Sequence, residues 1–70
     1  MTAPYPYRVK GSGRYREIRD GDRVVGCIQG DGQGWVGYRP DGSLVRTANG
    51  SPVRSPTIAR WRTPNLWRTP

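Results

Sequence analysis

The chain has 70 residues, twelve basic side chains against five acids, and no His or Phe, for a formal charge of +7 and a pI near 10.8. A chain this short buries only about 60% of the surface it exposes when unfolded, which excludes a second domain and leaves stability marginal. Without His and with one Cys there is no nucleophile, base and orienter set and no recognisable metal-ligand spacing, so neither catalysis nor a metal or cofactor is expected.

The branched aliphatics are few, so the core must draw on Trp and Tyr, or burial must come from a homo-oligomer or hetero-complex. No stretch approaches the roughly 20 apolar residues of a membrane span, and residues 1–8 lack a charged-then-apolar leader, so a cytosolic protein without membrane contact is expected. The Arg-over-Lys usage is that of a GC-rich coding sequence, as in an actinobacterial genome or one of its phages, and would make that cytosol the host's.

Residues 1–13 read as an extended arm, with Pro4 and Pro6 alternating with Tyr5 and Tyr7 before the flexible Gly11-Ser12-Gly13 joint. Tyr5 and Tyr7 point the same way in an extended chain, either back onto the domain or toward a ligand. Residues 14–50 form the β domain: Arg14 to Arg19, Arg23 to Gln29, Trp35 to Arg39 and Leu44 to Thr47 are short Val, Ile, Tyr and Trp runs separated by Gly and Asp. These predict an all-β fold, a small antiparallel sheet or SH3-like barrel of about four strands built from two hairpins. Arg19-Asp20-Gly21 and Pro40-Asp41-Gly42 each offer Gly for a three-residue loop, and Pro40 suits a type I turn. The first register then sets Tyr15 opposite Val25 and Glu17 opposite Arg23; the second sets Tyr38 opposite Leu44 and Val36 opposite Arg46. The two turns share Asp-Gly-x-x-Val, read as common turn chemistry. Cys27, within Val24-Val25-Gly26-Cys27-Ile28, is read as a packed strand position. The Gly30 to Gly34 loop lacks the Lys-Ser/Thr of a phosphate loop and leads into a strand.

Residues 51–70 form a Pro-, Arg- and Trp-bearing segment with at most one short helix near 56–62, capped by Ser55 with Ile58 and Trp61 on one side. Trp61-Arg62-Thr63-Pro64 returns as Trp67-Arg68-Thr69-Pro70. The prolines disfavour helix before them, so the repeat is expected to be extended, with both Trp on one side as matched anchors.

Asp20-Gly21-Asp22-Arg23-Val24-Val25, followed by Gly30, Gly34-Trp35-Val36-Gly37-Tyr38 and Asp41-Gly42, resembles the run of small SH3-like barrels, including the KOW-type modules of transcription and ribosomal proteins. The resemblance covers about half the chain and implies a module that binds RNA, DNA or protein.

Every acid lies between Glu17 and Asp41, which leaves the C-terminal third purely cationic. One reading is nucleic-acid binding, to DNA or RNA, with Arg14, Arg16, Arg39, Arg46, Arg54, Arg60 and Arg62 on phosphates and Trp35, Tyr38 or Trp61 stacking on bases. The alternative is a phage-type effector or assembly protein that grips an acidic protein surface through Trp61, Leu66 and Trp67, with Arg62 and Arg68 pairing with acids.

Overall fold

The computed structural model describes residues 7–68; Tyr5, the rest of 1–6, and 69–70 lie outside the described residues. The fold is all-β. Strands β1 (Arg8–Lys10), β2 (Tyr15–Asp20), β3 (Arg23–Gly30), β4 (Trp35–Tyr38) and β5 (Arg54–Ser55) make one open antiparallel sheet in chain order. β2, β3 and β4 form where the aromatic and β-branched runs place them. The fourth expected strand does not: Leu44 to Thr47 is caught between two turns and makes only the isolated bridges Tyr38↔Leu44 and Arg46↔Pro52. Two strands arise in segments read as arms, because the sheet supplies partners that local sequence does not reveal: β1 pairs with β2, and β5 with β4.

The first hairpin corrects the expected register. Asp20 pairs with Arg23 across a two-residue loop, with Tyr15 opposite Gln29 and Glu17 opposite Cys27. Gly21 has φ 61° and no non-Gly residue among those described has positive φ, the pattern of a type II′ turn, whose twist matches that of the strands. One extra residue, Val25, is taken up as a bulge where the register shifts between Ile18 and Arg19.

Pro40-Asp41-Gly42 does form the three-residue loop. The Gly42 amide donates to the Arg39 carbonyl and the Arg39 amide to the Ser43 carbonyl, both at 2.8 Å. Tyr38 meets Leu44 as expected, whereas Val36 faces Arg54 rather than Arg46. Further along, the same turn recurs: the Gly50 amide donates to the Thr47 carbonyl at 2.9 Å, and the Thr47 amide to the Ser51 carbonyl at 2.8 Å. Asp41-Gly42-Ser43-Leu44-Val45 and Asn49-Gly50-Ser51-Pro52-Val53 thus share Asx-Gly-Ser-x-Val, and each delivers a buried Val to the core. Their shared hydrogen bonding makes this repeat, rather than Asp-Gly-x-x-Val, the one that shapes the chain's path.

Alternation sorts the sheet into two faces. The rows Val9–Ile18–Gly26 and Arg16–Ile28–Gly37 face the core. The C-terminal segment covers them, and it is not extended: Ala59–Arg62 and Pro64–Trp67 are two 3-10 turns. Pro64 opens the second, at a position where its missing N–H costs no hydrogen bond. Trp61 lies over Gly37 and Trp67 over Gly26, so close that a Cβ on either glycine would come within 3.0 Å of the ring. The rings tilt against each other at 54° with centroids 5.2 Å apart. Neither indole N–H is stranded: Trp61 Nε1 donates to the Trp35 carbonyl at 3.3 Å, and Trp67 Nε1 to the Trp61 carbonyl at 2.7 Å. With Ile18, Ile28, Val45 and Val53 they form the core.

Ser55 does not cap a helix. It is buried; its Oγ accepts from the Thr57 amide at 3.2 Å and donates to the Thr57 carbonyl at 2.9 Å, a local turn that competes with helix formation. Tyr7 packs back on the core. Among the described residues no helix is long and apolar enough to cross a membrane.

Candidate nucleic-acid interface

Three of the five acids are engaged by arginines: Glu17 by Arg19 at 2.6 Å, Asp20 by Arg23 at 3.5 Å and Asp31 by Arg54 at 2.7 Å. Asp41 instead accepts from the Ser43 amide at 2.9 Å and the Ser43 hydroxyl at 2.7 Å. The Arg54 guanidinium, helped by the Gln33 amide, holds the Asp31 carboxyl below its usual range, and the Ser43 amide does the same for Asp41. These four acids lie on β2, the loop beyond β3 and the Pro40 turn.

Elsewhere the fold gathers arginines into two hollows that have, among the described residues, no carboxylate in their linings. Arg46, Arg60 and Arg68 surround one of about 350 Å³ floored by Val53 and Leu66. Arg8, Arg16 and Arg62 flank another of about 460 Å³ beside Val9 and Ile58. Arg46 is tied by one bond to the Gly50 carbonyl at 2.8 Å, which leaves most of its five donors for a ligand. Arg62 reaches the Tyr7 carbonyl at 3.1 Å, which ties the end of the first 3-10 turn to the residue before β1.

A third hollow, about 420 Å³, lies on the outer face of the sheet, lined by Tyr15, Glu17, Cys27, Gln29, Tyr38 and Arg39 among others. A hydrogen-bonding contact with Cys27 raises the Tyr15 hydroxyl above the usual phenol range. Arg39 donates to the Trp67 carbonyl at 3.0 Å and so joins this face to the end of the C-terminal segment.

No family model, curated protein or solved structure matches the chain.

The structure therefore brings together part of the expected set. Arg46 with Arg60, Arg16 with Arg62, and Tyr38 with Arg39 share hollows. Arg14 is exposed beside Trp35, at a shallow hollow edged by glycines. Arg54 is committed to Asp31. Trp35 is half-buried, its ring against Gly30 and the Arg16 guanidinium 5.5 Å from its centroid, so it serves the fold. Trp61 and Trp67, expected as outward-facing anchors, are both buried in the core, so neither ring presents its face to solvent. Leu66 stays half-buried next to Arg68.

The expected set left out Arg8, at the second hollow, and Tyr15, at the third. The signal for Arg8 was present in Arg8-Val9-Lys10, whose alternation is that of a strand with one half-buried side chain, hidden by the prolines before it.

Proposed function

We propose that the protein is a small non-catalytic nucleic-acid-binding module, working in the cytosol, that grips phosphates with its acid-free arginine hollows. The observation that carries this reading is the Arg46, Arg60 and Arg68 groove, whose lining holds no carboxylate. Like charges drawn together repel, and a bound polyanion turns that cost into attraction. Arginine also suits phosphate, because its planar fork donates two parallel hydrogen bonds. The non-catalytic part of this reading rests on the lack of His in the sequence. The protein-anchoring alternative loses its anchors, since both Trp are spent on the core.

A retardation series in rising salt tests the proposal. Affinity should fall with a log-log slope of about 0.7 to 0.9 per phosphate neutralised. Replacing Arg46, Arg60 and Arg68 together by Ala should flatten that slope by about 2 while leaving the fold intact, because all three are exposed. No retardation at about 50 mM salt, or an unchanged slope in the triple variant, rejects the proposal.

A further inference from the structure

The sheet has a second face, and its composition is that of a platform rather than a core. The rows Tyr15–Gln29–Val36 and Lys10–Glu17–Cys27–Tyr38 run across it, with Arg8–Arg19–Val24 beyond. Tyr15 is 56% exposed, an unusual position for a ring in a domain so short of apolar residues. Tyr15 and Tyr38 line the same hollow from β2 and β4, two strands over and two residues along, roughly 12 Å apart. Between them β3 presents the Gln29 amide, the small Cys27 and, at the hollow's edge, Gly26.

We propose that this face stacks the bases of a single-stranded nucleic acid on Tyr15 and Tyr38. The inference rests on the nucleic-acid reading above and names the form of the ligand. Three features select it. Two phenol rings flanking a low, polar strip offer π-faces and hydrogen-bonding groups together, which a base uses and an aliphatic side chain does not. The charge on either side suits a phosphate backbone: Arg8, Lys10 and Arg19 lie along β1 and β2, and Arg39 lies beyond Tyr38. Arg8 and Arg19 stand directly opposite each other, and the Glu17 carboxylate 2.6 Å from Arg19 offsets part of their repulsion. Glu17, the carboxylate in this lining, is already neutralised by Arg19 at 2.6 Å. A duplex hides its base faces in its own stack and would use the arginines alone.

The test compares fluorescent oligo(dT) and oligo(U) of about twelve nucleotides with a duplex of equal length and with polyglutamate, a polyanion without rings. Both single strands should bind more tightly than duplex or polyglutamate. Tyr15→Ala, on an exposed side chain, should weaken single-strand binding about five- to a hundredfold and leave duplex affinity unchanged; Tyr15→Trp should retain it. Tyr38→Ala should act in the same direction. Equal affinity for single strand, duplex and polyglutamate, or a Tyr15→Ala variant that binds oligo(dT) like the parent, overturns this inference while the arginine reading stands. Absence of binding to every probe at low salt overturns both.

Discussion

Two glycines decide how the tryptophans are housed. An indole can press its six-membered ring against a β-sheet only where the sheet has no side chain beneath it, and Gly37 and Gly26 provide those two gaps under Trp61 and Trp67. Trp61 is fully buried and its Nε1 is held by the Trp35 carbonyl, so the ring has no room to retreat. Gly37→Ala should therefore cost about 1 to 3 kcal/mol through overpacking. That is a large share of the roughly 4 to 10 kcal/mol expected for a domain of 70 residues. Urea denaturation followed by Trp fluorescence checks this; a midpoint equal to the parent's would show that the ring does not depend on the gap. A glycine within a strand run, as in Trp35-Val36-Gly37-Tyr38, permits close approach, but nothing local says that Trp61 is what approaches.

Turns are the elements best explained by their own residues, and they carry the protein's acid sensitivity. Asp41 braces the Pro40 turn through Ser43, and Asp31 braces the glycine loop through Arg54 and the Gln33 amide. Both carboxyls titrate below the ordinary 3.8 in the folded protein. Their stabilising contribution is therefore complete above that value and is lost as pH falls below it, through the folded pKa. The melting temperature should fall on acidification through this range, and an Asp31→Asn, Asp41→Asn double variant should show a shallower fall. Parent and double variant losing stability in parallel would mean that these contacts contribute nothing. Both groups are exposed, so the effect is modest. The Pro40 loop was readable because Pro, Asp and Gly each meet a requirement of one turn type. The first loop was expected at Arg19-Asp20-Gly21, which also satisfies a three-residue loop, but forms at Gly21-Asp22; the choice was made by the bulge at Val25 and the pairing that follows it.

At the scale of the whole molecule, the C-terminal segment is half of the protein's interior rather than an appendage. Val53, Trp61 and Trp67 stand there opposite Ile18, Ile28 and Val45. A chain ending at Thr57 would leave Ile18 and Ile28 facing water across two glycines and should show no cooperative unfolding transition in thermal denaturation. A cooperative melt in that fragment would mean that the sheet is stable alone. The same segment gathers the charge: Arg60 and Arg68 reach the groove of Arg46 because the 3-10 turns fold back, and an extended tail would have scattered them. Strong cationic character was legible from composition, and so was a small β fold. Which arginines stand together was not, because residues far apart in the chain line each hollow.

By itself, then, the amino-acid sequence determined an all-β chain with β2, β3 and β4, the Pro40 turn, and a surplus of positive charge; each follows from local propensity, steric demand at glycine and proline, or simple counting. Only the tertiary structure decided that Trp61 and Trp67 are internal, that β1 and β5 exist, and that Tyr15 and Tyr38 share an open face. Those outcomes depend on cross-strand register and on which rings fit which gaps, and both are settled by contacts between segments that the chain keeps far apart.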